Sequence, residues 1–203
     1  MELLLATGNA GKAREIEQMV GREFGVRAVN PRVEETGKTF AENAALKAIA
    51  LSRQDRQAIV AADDSGLEVD SLGGTPGIFS ARYAGAGATD QQNIDKLLRA
   101  LAGRKDRAAR FRCVIAVARA GELLRTFEGT VEGVIVDLPR GSGGFGYDPI
   151  FQPTGFEQTF GELPADLKHQ ISHRGRAIRE LRIWLLQTQG RGGGGGAPGG
   201  APG

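Results

Sequence analysis

The apolar positions of this chain follow two rhythms. Leu3-Leu4-Leu5-Ala6 is a short unbroken run, the pattern of a strand buried on both faces. It passes through Thr7-Gly8-Asn9-Ala10-Gly11-Lys12 into a spacing of three and four. That spacing puts Ala13, Ile16 and Val20 on one face of a predicted helix, with Asn9 placed to cap it. Residues 26–29 read as a second strand. Thr39 and Glu42 have the spacing of a capping box, and the helix after them turns Phe40, Ala44, Ala48 and Leu51 inward. Residues 58–62 form another buried strand pattern that ends at Asp63-Asp64-Ser65-Gly66. Ile94, Leu97, Leu98 and Leu101 mark a helix opening near Thr89 or Asp90.

The rhythm then changes. Residues 111–118 and 123–127 flank a glycine-containing turn at 119–122, which signals a hairpin, and residues 131–136 extend the antiparallel part. Pro164 begins a short predicted helix. Ser172 begins the last, whose core side carries Ala177, Ile178, Leu181, Trp184 and Leu185. Strand–helix units first, a β-rich middle and helices at the end predict an α/β protein with a mixed central sheet flanked by helices. Residues 190–203 are nearly all Gly, Ala and Pro and cannot bury apolar surface, so a disordered tail is expected there and one catalytic domain over 1–189.

Composition narrows the function classes. The 203 residues are 40% hydrophobic, with 26 basic against 24 acidic side chains and a net charge of +2. That near balance, with no long basic run, argues against a nucleic-acid partner. No apolar run approaches the roughly 18 residues of a membrane span, and the first residues lack the positive flank of a signal peptide. Cytoplasm is the expected location and no membrane partner is expected. The single cysteine, Cys113, lies in an apolar run and reads as a buried strand thiol.

Four segments carry potential chemistry. The 7–12 turn brings glycines and Lys12 to a helix N-terminus, where backbone N–H groups and the helix dipole favour an anion. It is not a Walker A loop, because only two residues separate Gly8 from Gly11-Lys12 and Ala13 stands where Ser or Thr would. A structural turn with a surface lysine fits that segment about as well as a phosphate site. Asp63 and Asp64, at the end of an apolar strand, should repel each other. A hard cation with oxygen ligands would compensate them, and an Asp-rich turn is the alternative. In 142–149, three glycines, Phe145, Tyr147 and Asp148 would suit either a base-stacking clamp or a loop that uses its glycines for positive φ. His173 and Arg174 fall in the first turn of the last helix, where basic residues oppose the dipole, so they serve a ligand or are plain solvated residues. Lys47 sits in an otherwise apolar helical stripe, either snorkelling or reaching a ligand.

Taken together and in order, these segments resemble the inosine triphosphate pyrophosphatase family, the Ham1-like XTP/dITP diphosphatases, in its bacterial form. The stretches that match are 6–12, Glu35-Thr36-Gly37, 40–44, 62–67, 76–83, 143–149 and 171–175, spread over residues 1 to about 187. The resemblance implies a two-lobed mixed α/β fold around a long cleft, a homodimer, and magnesium-dependent cleavage of purine triphosphates with the wrong base (ITP, dITP, XTP) to monophosphate and pyrophosphate, a cleansing of the nucleotide pool. By motif position it implies that Thr7, Gly8, Asn9, Ala10, Gly11 and Lys12 hold the triphosphate, with Lys47 assisting and Arg82 a further phosphate contact. By the same resemblance Glu35 and Asp64 are expected to bind the metal, Asp64, with Asp63 beside it, to activate water, and Ser65 to touch substrate. Phe145, Gly146, Tyr147 and Asp148, with Lys168, His173 and Arg174, are expected to form the nucleoside side. The same fold acting on other nucleotides, a purine-nucleotide sensor without turnover, and an RNA-binding module are the competing readings. A substrate panel, the intact Asp63-Asp64 pair with Lys12, and the near-neutral charge respectively weigh on them.

Overall fold

The computed structural model describes residues 2–191. Six strands form one mixed sheet in the order β2-β1-β3-β4-β5-β6. β1 (Glu2–Ala6) runs parallel to β2 (Gly25–Val29) and to β3 (Ile59–Val69). β3, β4 (Ala108–Arg119), β5 (Glu122–Ile135) and β6 (Phe151–Pro153) are antiparallel neighbours. The helices are α1 (Ala10–Val20), α2 (Phe40–Gln54), α3 (Asp90–Ala100), α4 (Ala165–Ile171) and α5 (His173–Arg191). No helix among the described residues is long and apolar enough to cross a membrane. The predicted tail overlaps the described chain only at the end of α5; residues 192–203 lie outside the described residues.

Side-chain alternation sorts the core. Leu3, Leu5, Ala61, Cys113, Ile115 and Val117 face α1 and α5, and pack on Ile16, Val20, Ala177, Ile178, Leu181 and Leu185. Leu4, Ala6, Val60, Ala62, Ala116 and Ala118 face the opposite way, onto Ala44, Ala48 and Leu51 of α2. A third cluster gathers Leu67, Val69, Phe111, Val131, Ile135, Phe151 and Phe160 under Ile94 and Leu97 of α3 and Leu101 at its C-cap. Burial pushes the Cys113 thiol up to about 12, as an inert core thiol should be.

The caps act where their residue types predict. Asn9 Oδ1 accepts from Lys12 N at 3.0 Å and Ser172 Oγ from Gly175 N at 3.1 Å. Thr89 and Gln92 complete a reciprocal capping box on α3. Thr39 accepts from Glu42 N, but the Glu42 carboxylate reaches the Lys38 N–H instead of the cap's own, so that box is only half formed.

Two strand boundaries differ from the pattern-based expectation. β3 does not end at Asp63. Every residue from Val60 to Val69 pairs with β4, so the acidic pair lies in mid-strand. β5 is one strand of 14 residues, and Gly129 does not break it. A Cβ there would come within 2.0 Å of the His173 carbonyl oxygen, so the glycine lets the start of α5 rest on the strand backbone.

Candidate active site

The site sits where the parallel half of the sheet stops. β1 pairs with β3 only as far as Leu5 opposite Ala61, while β3 continues to Val69 against β4, its other edge meeting an isolated bridge from Glu68 to Pro76. Past Ala61, one edge of β3 therefore faces the turn at residues 7–9 and the N-terminus of α1. A crevice at the carboxyl ends of parallel strands is the usual ligand position in open α/β sheets.

In an extended strand, adjacent side chains point to opposite faces. Asp63 and Asp64 obey this, and each has its own partners. Asp63, 1% exposed, faces α1 and α5. Its Oδ2 lies 3.2 Å from Lys12 Nζ, 3.4 Å from Arg174 Nη2 and accepts from Ser65 Oγ at 3.2 Å. Burial alone would raise its pKa, but Lys12, Arg174 and Lys47 hold the carboxyl far below the ordinary range. Asp64 faces α2. It accepts from Asn43 Nδ2 at 3.2 Å, and its Oδ1 lies 3.7 Å from Lys47 Nζ. Burial pushes Asp64 up; Lys12 and Lys47 pull against that, while Glu35 and Asp63 add to it, and the net is upward. The two carboxylates therefore do not share one set of partners: Asp63 is held ionised by Lys12 and Arg174 on one face, and Asp64, its pKa raised by burial, lies against Asn43 and Lys47 on the other.

Glu35 reaches the Asp64 face from the irregular segment between β2 and α2. Lys47 Nζ donates to its Oε1 at 2.8 Å and Arg82 Nη1 to its Oε2 at 3.2 Å. Burial raises the Glu35 pKa, but the Lys47 and Arg82 bonds leave it lowered. Lys47 neither snorkels nor hangs free. Burial would lower its pKa, yet Asp64, Asp63 and Glu35 raise it, so it is a buried ammonium shared by two carboxylates. Asn43, fully buried, also accepts from the Gly37 N–H at 2.8 Å and so ties the Glu35 segment to β3.

On the other side of β3 lies a pocket lined by Asn9, Lys12, Ser65, Phe145, Tyr147, Asp148, Lys168, His173 and Arg174, along with Asp90 at its mouth. Thr7 Oγ1 accepts from the Asn9 N–H, which sets the turn beside it. Gly8 packs against the Asn30 side chain. Gly11 admits the Phe145 ring, which a Cβ would approach to 3.1 Å. Ala10 and Gly11 occupy the first turn of α1, where amides lack intrahelical partners. The Phe145 ring lies 5.4 Å from Lys168 Nζ and 5.5 Å from Arg174 Cζ, both within cation–π range.

Neither basic residue at the start of α5 is solvated. His173 stacks on Phe111 at 4.8 Å and 10°. Burial, then Arg174 and Lys168, pushes its pKa well down, so it is neutral. Arg174 donates to Ser65 Oγ at 2.8 Å and to Glu15 Oε2 at 2.5 Å. Lys168 donates at 2.6 Å to both Glu15 and Asp148, whose Oδ2 also accepts from Phe145 N. The result is a buried chain of alternating charge: Lys12, Asp63, Arg174, Glu15, Lys168, Asp148. Two polar atoms at this pocket, His173 Nδ1 and Arg174 Nε, have no protein partner.

Two members of this assembly escaped the sequence reading. Glu15 follows Lys12 by three residues on the same helix face, which is the signal that could have found it. Asn43 lies in the 40–44 stretch that carries the resemblance, which assigns it no role of its own. Asn9, Lys12, Ser65, 145–148, Lys168, His173 and Arg174 line the pocket on one side of β3, with Thr7, Gly8, Ala10 and Gly11 in the adjoining turn and helix start, while Glu35, Lys47, Asp64 and Arg82 gather on the other side, within the field of Lys12.

Comparison with known proteins identifies the family. The family model described as Ham1 family matches residues 3–184. The chain is 47% identical over 195 residues to the dITP/XTP pyrophosphatase of Bacillus licheniformis, covering 92% of this chain and 99% of that protein. It is 51% identical over 182 residues to the dITP/XTP pyrophosphatase of Gloeobacter violaceus, covering 88% and 91%. Among solved structures, the Ham1 protein of Staphylococcus aureus superposes with a TM-score of 0.82 at 42% identity, over 93% of this chain and all of that one. The family-model match over residues 3–184, with this identity and coverage, places the chain in one group: it belongs to the Ham1 family.

Proposed function

We infer that this chain is a nucleoside-triphosphate pyrophosphatase that hydrolyses XTP, dITP and ITP to monophosphate and pyrophosphate, and so clears deaminated purines before polymerases use them. The observation that carries the reading is the division of labour across β3. Asp64, with its raised pKa, faces Glu35 and Lys47 on one side, and an aromatic pocket backed by buried cations opens on the other. Relatives of similar length carry the name dITP/XTP pyrophosphatase.

The metal we propose is Mg²⁺. Glu35 and Asp64 are two carboxylates that converge on one cation, the Lys47 ammonium, and such an oxygen pair suits a hard divalent ion that keeps waters and takes phosphate oxygens for the rest of its shell. When bound, the ion supplies Lewis-acid neutralisation of the phosphates and the leaving pyrophosphate.

The chain's own residues do the rest. The α1 N-terminus, Lys12, Lys47 and Arg82 bind the triphosphate and stabilise the charge that shifts onto pyrophosphate. Asp64 orients a water and takes its proton as the oxygen bonds to the α-phosphorus and the bond to the β-phosphate bridge breaks. Ser65 contacts the substrate from the pocket side. Phe145 stacks on the base, with Gly146, Tyr147 and Asp148 shaping the clamp. Lys168, His173 and Arg174 present donors to a 6-oxygen. Adenine's 6-amino group would face those donors unpaired, a mismatch that discriminates by on the order of 10⁴. Residues 1–189 act as one catalytic unit with lobes on either side of the crevice, working as a homodimer in the cytoplasm.

Equal mixtures of ITP with ATP, and of XTP with GTP, test the proposal, each with and without Mg²⁺ and with products resolved by chromatography. Monophosphate plus pyrophosphate from ITP and XTP, only with metal and with little from ATP or GTP, is the expected outcome. Diphosphate plus orthophosphate, or equal use of ATP, would overturn it.

A further inference from the structure

The loop that carries Phe145 has to hold its shape over open space. Gly144 and Gly146 have φ of 72° and 60°, the left-handed region that an ordinary side chain resists, so the loop's own conformational preference is weak there. Its far end is well anchored. The Tyr147 hydroxyl donates to the Ser80 carbonyl at 2.8 Å, and Asp148 is buried between Phe145 N and Lys168. Its near end is held where the Gly143 N–H donates to the Gly161 carbonyl at 2.9 Å, and its middle makes a different contact. The Gly146 N–H donates at 2.7 Å to Asp90 Oδ2, in the first turn of α3.

The cap of α3 does not use the Asp90 side chain. Thr89 and Gln92 already satisfy the α3 N-terminus through the reciprocal capping box. Its carboxylate instead reaches across 56 positions of sequence to a backbone amide adjacent to the stacking ring. A bond from an amide to an ionised carboxylate is stronger than a neutral one and directional. The same carboxylate stands at the mouth of the nucleoside pocket, beside Asn93, whose Oδ1 accepts from Ala84 N and whose Nδ2 donates to the Ala81 carbonyl.

We propose that Asp90 is a positioning residue for the nucleoside loop: by accepting the Gly146 N–H it latches residues 143–148 onto α3 and sets where the Phe145 ring lies over Lys168 and Arg174. The proposal rests on the pyrophosphatase reading above and adds to it a residue outside the recognised motifs. Its consequence is selective. Loss of the latch weakens capture of the nucleoside and leaves the phosphate chemistry at Asp64 in place.

The test compares Asp90→Ala with Asp90→Asn, whose amide oxygen can accept the same N–H. With ITP, Asp90→Ala is expected to raise KM about tenfold, the range for losing one charge-assisted hydrogen bond, with kcat within about twofold. Preference for ITP over ATP falls with it, and Asp90→Asn recovers most of the loss. Amide hydrogen exchange supplies the readout that a general weakening would not give. Exchange at Gly146 should accelerate in Asp90→Ala and stay protected in Asp90→Asn, with the α5 core unchanged in both. Should Ala destabilise the start of α3, Asp90→Ser serves in its place. Unchanged Gly146 exchange in Asp90→Ala, or an Asn variant as impaired as the Ala variant, would overturn the latch. Failure of the wild type to cleave ITP would sink the activity reading alone, since the exchange result stands without substrate.

Discussion

At the scale of single residues, the neighbours Asp63 and Asp64 have different surroundings because strand alternation sends them to opposite faces, and the proposed mechanism gives them opposite tasks. Asp64→Asn should lower kcat by about 10²–10⁴-fold, the usual contribution of a general base, with Tm unchanged or higher. The higher Tm follows from the sign of its shift, because a raised pKa means that the buried ionised form opposes folding and a neutral amide removes that opposition. Asp63→Asn should behave in the reverse manner. It leaves Lys12 and Arg174 short of a buried counter-charge, so it should cost about 3–5 kcal/mol of stability. Chemical denaturation of both variants beside single-turnover kinetics separates the two roles. Equal loss of stability in both would show that the faces are not independent.

At the scale of elements, Glu15 joins three helices: its own α1, α4 through Lys168 and α5 through Arg174. Burial raises the Glu15 pKa, but Arg174 and Lys168 more than offset this and hold the carboxyl below its ordinary value. A lowered folded-state pKa contributes stability that is present above the unfolded value and lost as pH falls through the folded one. Glu15→Gln should therefore reduce Tm clearly at pH 7, and the gap from wild type should narrow as pH drops through and below the carboxylate range. Thermal melts across pH 7 to 3 check this; a gap constant with pH would mean that the pairing carries no net stabilisation. The fastening has a physical reason. Arg174 and Lys168 must be aimed into the pocket, yet the first turn of α5 is a poor place for a cation. The carboxylates of Glu15 and Asp63 offset the helix dipole and fix the guanidinium geometry before any ligand arrives.

At the scale of the whole molecule, the crevice draws on side chains from Lys12 to Arg174, which converge only in the folded chain. Anything that binds it stabilises the native state alone. A hydrolysis-resistant α,β-methylene analogue of ITP at 100 times its Kd, with Mg²⁺, should add about 2.7 kcal/mol. For a chain of this size that is a rise of about 5–11 °C in Tm. The ATP counterpart at equal concentration should do much less, and differential scanning fluorimetry reads both. Equal shifts would place base selection in the chemical step instead of in binding.

Much of this was legible along the chain. Caps at Asn9, Thr89 and Ser172, the helical stripes and the buried strands are local, set by spacing and by which side chains can satisfy a free amide. The motif residues were legible as a set for the same reason, being turn glycines and charges in short runs. Tertiary structure decided what local pattern cannot encode. β3 continues past Asp63 because β4 pairs with it to Val69, and only that continuation assigns the two carboxylates to different faces. Arg174 finds Asp63 across 111 positions and Glu15 across 159, so its role as a buried, preorganised cation depends on the sheet bringing α1 and α5 together. Charges of this kind look solvated in one dimension. Burial, which makes an ion dependent on its partners, is a property of the assembled fold alone.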